Sequence, residues 1–136
     1  MPPRSWPKRD WAIALSIGRA MPSDELGTGV YDLVFMAAPV HHFDDGTNRR
    51  LMQRISRALR PGGIVAIWEP VRQDSSGKIQ QIGGLLDLFF GIFSKAGTWS
   101  SPEVASWMLD AGLEAQKPRQ PRLMRGLMLH IGRKPR

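Results

Sequence analysis

With 136 residues, the chain has the length of one small domain, and a hydrophobic content of 42% is sufficient for a core. It contains no cysteine, which excludes disulfides and thiolate metal sites. No apolar run approaches the roughly 20 residues that span a bilayer. The short apolar run Trp11–Ile17 is followed by Arg19 and Pro22 and not by a convincing signal-peptide cleavage site. We therefore expect a cytoplasmic protein without a membrane anchor.

The net charge of +7 is compatible with an acidic partner such as nucleic acid. The charge is uneven, because no acidic residue follows Glu114 while seven cations do. No aromatic residue lies among these cations, so a surface for base stacking is not indicated. We therefore favour a solvated C-terminal hairpin and tail over nucleic-acid binding.

Residues 1–17 are predicted to be an irregular N-terminal segment, and residues 18–136 to be the folded domain. The first nine residues contain three prolines and three cations, a composition typical of irregular chain. Within this segment, Trp11–Ile17 is compatible with a short strand or with one helical turn, and both alternatives stay open.

The stretch from Tyr31 to Pro70 predicts a strand, a helix and a second strand. Tyr31–Val40 has a nearly continuous apolar core, typical of a strand buried on both faces of a parallel sheet. Pro61–Gly63 ends the following helix and turns the chain, and Ile64–Trp68 is a second buried strand. Such a unit has parallel strands and a right-handed crossover. The apolar positions of the helix are Leu51, Met52, Ile55, Ala58 and Leu59.

Four segments of this stretch resemble class I S-adenosylmethionine-dependent methyltransferases, in particular the small-molecule O-methyltransferases. The segments are Tyr31–Val34, His41–Asp45, Ala58–Gly63 and Glu69–Pro70, and their order and spacing match the family's fourth strand, its following loop and helix, and its fifth strand. The resemblance covers Gly18 to Pro135 and matches only the second half of the family's domain. It implies an α/β fold: a partial Rossmann-like sheet with a βαβ unit, apolar helices and a C-terminal antiparallel hairpin.

The first half of the family's domain contains a glycine-rich loop of the E/D-x-G-x-G-x-G type, through which the backbone approaches the cofactor. Gly18, Gly27 and Gly29 do not supply this loop, because no strand–loop–helix pattern surrounds them. Gly18 to Gly29 instead resembles the segment between the third and fourth strands, and Asp24–Glu25 is more typical of a solvated turn than of an adenine contact. We expect a truncated or frame-shifted product whose start lies upstream. The alternative is a complete, degenerate protein whose open sheet edge is covered by a partner chain or a second copy.

The loop after the first strand of the unit carries the candidate chemistry, since ligands of open parallel sheets lie beyond the carboxyl ends of the strands. An oxygen nucleophile attacks a sulfonium methyl group better once its proton is removed, and a histidine can accept that proton near neutral pH. The resemblance to O-methyltransferases with a His-Asp-Trp motif assigns this base role to His41, although His42 and Phe43 replace the Asp and the Trp. The alternative, which we favour for a His-His-Phe loop, is that His41 is structural or lines the cofactor pocket. The adjacent histidines have no evident third ligand, so no metal site is predicted.

The resemblance also implies that S-adenosylmethionine contacts the end of the strand before this loop. The residues assigned to the cofactor on this basis are Phe35, Met36, Ala37 and His42. Relatives often have Ser-Asn where this chain has Ala37–Ala38, a change that weakens polar contacts at this end of the strand.

Three carboxylates are candidates for the site: two directly follow the His-His-Phe segment, and one ends the second strand. Asp44 and Asp45 are more typical of a turn and a helix cap than of catalytic groups. Glu69, at the end of the second strand, is assigned to substrate binding. It can orient the substrate or the histidine, and a solvated strand end is an equally good interpretation.

From Ile79 to Lys95 the sequence is strongly apolar. In relatives this region forms a helix over the acceptor pocket, which implies an apolar or aromatic acceptor in contact with Phe89 and Phe90. Core packing is the equally weighted alternative.

The C-terminal region predicts a helix and a hairpin. Ser101 can cap the helix with Pro102 at its first position, or Ser100 can form a capping box with Glu103. Trp107 is expected in the core, and Gly112 stops the helix. The remaining expectations are an antiparallel hairpin of Glu114–Gln120 and Leu127–Ile131, its connection near Arg125–Gly126, and a structural role for His130.

Two functions follow as expectations. The resemblance implies S-adenosylmethionine-dependent methylation of a small apolar or aromatic hydroxyl compound. Because the glycine-rich loop is not in the sequence, the alternative is a truncated, catalytically inactive methyltransferase-like module that binds a partner chain. The sequence does not name the acceptor or its reacting atom.

Overall fold

The computed structural model describes residues 11–14, 26–37, 40–70, 99–122 and 127–136, without the side chains of residues 11–14 and of His42. Among these residues, two helices and one 3-10 turn accompany a mixed sheet. The elements are β1 (Trp11–Ala14), β2 (Tyr31–Ala37), the 3-10 turn (Val40–His42), α1 (Asp45–Ala58), β3 (Leu59–Pro70), α2 (Ser101–Asp110), β4 (Glu114–Ala115) and β5 (Leu127–Arg133).

The sheet has the order β1-β2-β3-β5-β4. Strands β1, β2 and β3 are parallel, whereas β5 is antiparallel to both β3 and β4. The parallel βαβ unit and the closing hairpin are thereby confirmed, although β4 is shorter than expected and continues only as an isolated bridge between Arg119 and Leu129. The predicted connection at Arg125–Gly126 lies outside the described residues.

Strand β1 differs from the expectation that residues 1–17 are irregular. Of the two alternatives for this region, the strand is the correct one, and it pairs with β2 from Trp11 opposite Leu33 to Ala14 opposite Met36. In the doubly wound strand order 3-2-1-4-5-6, the first strand borders the fourth. Because β2 resembles the family's fourth strand, β1 takes the place beside it that the first strand has in a complete sheet. The domain boundary at residue 17 stays a prediction.

One face of the sheet forms the core with both helices. Side chains alternate across a strand, so every second residue of β2 and β3 points toward α1 and α2. The opposite face is only half-buried, at residues such as Phe35 and Trp68, which differs from the expected burial on both faces. The core comprises Val34, Met36, Val40, Leu51, Met52, Ile55, Leu59, Val65, Ile67, Val104, Trp107, Met108 and Leu113.

Helix α1 is capped at both ends by side chains. The carboxylate of Asp44 accepts a 2.7 Å hydrogen bond from the Thr47 backbone N–H, which confirms the predicted cap. At the other end, Lys134 Nζ donates to the carbonyl oxygens of Ser56 and Leu59, each at 2.8 Å. These carbonyls belong to the end of the helix, where no intrahelical donor follows and a cation is favourable.

The Pro61–Gly63 segment is part of β3 rather than a separate turn before it, because β3 begins directly after α1. Gly62 has a φ of 76°, a conformation that favours glycine. A Cβ on Gly63 would lie 2.8 Å from the Arg60 carbonyl oxygen and 3.1 Å from that of Tyr31. The two glycines are therefore required by the bend and by the close approach to β2.

Helix α2 starts with a capping box, which decides between the two predicted caps. Glu103 N–H donates to the Ser100 hydroxyl, and Ser100 N–H donates to the Glu103 carboxylate at 2.7 Å. Trp107 is fully buried, as expected, and its Nε1–H donates to Asp45 at 2.7 Å. Neither described helix is long and apolar enough to cross a membrane.

Candidate active site

The parallel strands β2 and β3 end at the same edge of the sheet, and this edge brings two predicted site residues together. His41 lies in the 3-10 turn after β2, and Glu69 is the penultimate residue of β3. His41 Nδ1 is 3.0 Å from Glu69 Oε2. Both residues are buried, with exposed fractions of 4% and 1%. The contact joins positions 28 residues apart in the chain.

Both carboxylate oxygens of Glu69 are engaged. Oε2 contacts His41, while Oε1 accepts a 2.6 Å hydrogen bond from the Val40 backbone N–H. The interpretation of Glu69 as a solvated strand end is therefore wrong, and the contact with the histidine is present. Its assignment to substrate binding stays a prediction.

The protonation of the pair follows from its surroundings. Burial raises the pKa of Glu69, while the hydrogen bond and charge of His41 and the Val40 N–H act in the opposite direction. When Glu69 is ionised it can only accept, so the proton of a neutral His41 must lie on Nδ1. This tautomer places the lone pair of the imidazole on Nε2.

The carbonyl oxygen of Val40 is held by two side chains. Asn48 Nδ2 donates to it at 2.9 Å and Trp99 Nε1 donates at 3.0 Å. Asn48 Nδ2 also donates to the Phe43 carbonyl oxygen at 3.2 Å. Asn48 is fully buried, and its Oδ1 has no hydrogen-bond partner among the residues that the structure describes.

No motif in the sequence marks Asn48 as a site residue, although its position carries a signal. It precedes Leu51, Met52 and Ile55 at spacings of three, four and seven residues, so it lies on the apolar face of α1. A polar residue at such a position is expected to have a specific partner, because burial without hydrogen bonds is unfavourable. The sequence does not say what that partner is, since Val40 and Trp99 approach only in the folded chain.

The other predicted site residues lie in different surroundings. Phe35 and Ala37 are half-buried on the face of β2 away from the helices, whereas the Met36 side chain is buried in the core. The backbone of His42 completes the 3-10 turn. Phe89 and Phe90 lie outside the described residues. Asp44 caps α1, and Asp45 is the acidic residue of its first turn. Among the described residues, no group of three or more His, Cys, Asp or Glu could hold a metal ion.

Part of the chain matches a known protein family in sequence. Residues 9–67 match the protein family described as "Methyltransferase domain". The matched residues include β1, β2, the turn with His41, and α1. Among curated proteins, no sequence match was found.

Solved structures of methyltransferases have the same fold. An O-methyltransferase family protein from Burkholderia thailandensis has a TM-score of 0.68 and 19% identity, covering 84% of this chain and 33% of its own. Human N-acetylserotonin methyltransferase in complex with S-adenosylmethionine has a TM-score of 0.65 and 20% identity, covering 77% and 30%. Mitomycin 7-O-methyltransferase MmcR has a TM-score of 0.70 and 16% identity, covering 82% and 32%.

The chain therefore has the fold of class I S-adenosylmethionine-dependent methyltransferases, and residues 9–67 carry the sequence pattern of a methyltransferase domain. It spans about a third of the length of the solved proteins that it matches. The predicted fold class is confirmed, and the match over residues 9–67 supports the predicted family resemblance.

Proposed function

We propose that this chain forms part of an S-adenosylmethionine-dependent methyltransferase site that methylates a hydroxyl group of a small molecule, with His41 as the base. The observation that supports this most directly is the buried contact between His41 and Glu69 at the carboxyl edge of a methyltransferase-type sheet. Ligands of such sheets bind at this edge.

In the proposed reaction, Glu69 keeps the Nδ1 proton in place and thereby orients the ring. Nε2 then accepts the proton of the acceptor hydroxyl as the oxygen attacks. The cofactor supplies an electrophilic methyl group on its sulfonium. Because the pair is shielded from water, hydrogen bonds that orient the ring are stronger than they are in solvent.

The described residues fit one wall of a cofactor site. Phe35 and Ala37 offer half-buried apolar surface beside the turn with His41 and His42. The Met36 side chain is in the core, so a contact with the cofactor would come from its backbone. The sequence contains no glycine-rich loop, and no residue of this chain is assigned to the ribose.

The proposed acceptor is a small apolar or aromatic molecule. Two of the similar structures are named for N-acetylserotonin and mitomycin methylation, both with small-molecule acceptors. Phe89 and Phe90 remain the residues predicted to contact the acceptor. The proposal keeps the cytoplasmic location predicted from the sequence.

A second candidate is an inactive methyltransferase-like module that binds a partner chain or a second copy. The exposed fraction of His41 is only 4%, which favours this second candidate. A shielded histidine paired with a carboxylate can also have a purely structural role. In this alternative the partner covers the sheet edge at β1.

Calorimetric titration of the purified chain with S-adenosylhomocysteine tests the first candidate. Saturable binding with a stoichiometry of one is expected, and His41→Gln should keep binding while methylation of a hydroxyl panel is lost. A folded chain, verified by circular dichroism, that binds no S-adenosylhomocysteine would contradict cofactor binding by this chain. A His41→Gln variant with unchanged methylation would contradict the base role alone.

A further inference from the structure

We propose that Asn48 and Trp99 are positioning residues that hold the His41 imidazole against Glu69 through the backbone of Val40. The catalytic consequence of this inference rests on the proposed function. The positioning itself does not, because it concerns the tautomer and orientation of a side chain in the free protein.

Both peptide groups of Val40 are anchored. Its N–H donates to Glu69 at 2.6 Å, and its carbonyl oxygen accepts from Asn48 at 2.9 Å and from Trp99 at 3.0 Å. The carbonyl of Val40 and the backbone nitrogen of His41 share one rigid peptide plane. Fixing this carbonyl therefore restricts the backbone of His41 and the direction in which its side chain leaves the chain.

The hydrogen-bond partners of Val40 come from separate elements. Asn48 lies in the first turns of α1, Trp99 directly precedes the capping residue of α2, and Glu69 belongs to β3. The turn with His41 is thus held to both helices and to the sheet at once. A histidine held by three elements has little orientational freedom left to lose when a substrate binds. This is the condition for an effective general base.

A buried asparagine at position 48 is unfavourable if only the stability of the fold is considered. It is fully buried on the apolar face of α1, where leucine would continue the pattern, and its Oδ1 has no partner among the described residues. Its two donated hydrogen bonds, to the carbonyls of Val40 and Phe43, both end on the segment that carries His41. The use of a buried amide at this place is explained by control of that segment.

Trp99 allows the hydrogen bond to be removed without loss of the ring. Its ring packs edge-on against Trp107 at a centroid distance of 5.2 Å and an interplanar angle of 79°. Trp99→Phe keeps an aromatic ring there and removes the donor to Val40 together with part of the ring surface. Trp107→Phe is the matched control, because it also removes one indole donor, but the acceptor of that donor is Asp45.

A second matched pair concerns Asn48. Asn48→Leu removes two hydrogen bonds from a side chain to backbone carbonyls at the turn with His41. Lys134→Met also removes two such bonds, to the carbonyls of Ser56 and Leu59 at the far end of α1. Each variant removes two hydrogen bonds to backbone carbonyls of the same helix or its flanks, but only Asn48→Leu should affect His41.

The test is the tautomer of His41, measured from the ¹⁵N chemical shifts of the full chain labelled at histidine. The chain has three histidines, and His41→Gln assigns the signal. The unsubstituted protein should show the Nδ1–H form, whereas Trp99→Phe and Asn48→Leu should shift the signals toward a mixture of both tautomers. Trp107→Phe and Lys134→Met should retain the original spectrum.

Several outcomes would overturn the proposal. One is an unchanged His41 signal in Trp99→Phe; another is an equal change in Trp107→Phe; a third is an unsubstituted protein in which His41 already samples both tautomers. If Asn48→Leu does not fold, Trp99→Phe decides alone.

The measurement needs neither cofactor nor acceptor, so its failure is distinguishable from failure of the S-adenosylhomocysteine titration. If methylation is observed, Trp99→Phe should lower kcat about tenfold with little change in KM for the cofactor. A changed KM with unchanged kcat would contradict the positioning role.

Discussion

The two ends of the sheet use polar contacts for different purposes. At the amino end of β3, Lys134 contacts the carbonyls of Ser56 and Leu59, and its own backbone pairs with Gly62 and Gly63. These bonds satisfy backbone groups that the end of a helix and a bend leave without partners. Among the described residues, the proposed catalytic group does not take part in the contacts at this end.

The carboxyl end of β3 differs because its contact joins two buried ionisable side chains, whereas the Arg60–Asp32 pair at the amino end is partly exposed. His41 and Glu69 are buried together, and Asn48 is buried beside them with one polar atom unpaired among the described residues. Burial of such groups is unfavourable unless their partners are well placed. The comparison indicates that the amino end is arranged for stability, whereas the carboxyl end retains costly groups that chemistry can use.

The largest expected effect is at the carboxyl end. Glu69→Ala removes the partner of both the His41 ring and the Val40 N–H, and the loss of one member of a buried pair destabilises by about 3–5 kcal/mol. Urea unfolding followed by circular dichroism measures this loss. Glu69→Gln, which retains hydrogen-bonding capacity, is the control and should lose less; equal losses would show that an amide at this position cannot preserve either contact.

His130, in the middle of β5, should dominate the acid sensitivity. Burial lowers its pKa from 6.5 to about 4. The folded state therefore binds its proton more weakly than the unfolded state, so its stabilising contribution is full above pH 6.5 and is lost as the pH falls toward 4. The loss amounts to about 3 kcal/mol. Glu69, whose pKa is raised, contributes with the opposite sign.

Urea unfolding at pH 7 and pH 4 measures this dependence. The His130→Leu variant should lose most of the fall in stability between these two values. A variant with the same fall as the unsubstituted protein would assign the acid sensitivity to another group.

At the amino end, Lys134→Met should lower the free energy of unfolding by about 2 kcal/mol, because two carbonyls lose a charged donor. Thermal unfolding measures the loss. S-adenosylhomocysteine binding should be unchanged; a variant with weakened binding but unchanged stability would contradict the division between the two ends.

The smallest expected effect is at the start of α2. Ser100→Ala removes the hydroxyl that accepts from Glu103 N–H, and loss of such a cap reduces stability by about 1 kcal/mol. Ser100→Gly should reduce stability by only a few tenths of a kcal/mol, because glycine is tolerated at the N-cap position. Chemical unfolding of the two variants provides the measurement, and equal losses would contradict the capping role.

Local features of the fold could be predicted from the sequence. The apolar spacing in α1, the Asp44 cap and the capping box at Ser100 each depend on residues within a few positions of one another. The parallel βαβ unit also followed from the sequence, because its strand, helix and strand patterns are consecutive. Short-range patterns of this kind are determined by side-chain period and by the free backbone groups at helix ends.

The candidate site could be predicted only in part. The sequence pointed to His41 and left Glu69 with three interpretations, because the register of β2 and β3 decides whether residues 28 positions apart meet. It gave no partner for Asn48, whose acceptor is a backbone carbonyl, and it placed the strand Trp11–Ala14 in an irregular segment. Sequence alone thus determined the elements and the family resemblance. Tertiary structure decided the neighbours, because long-range contacts depend on packing and strand register, which no local pattern encodes.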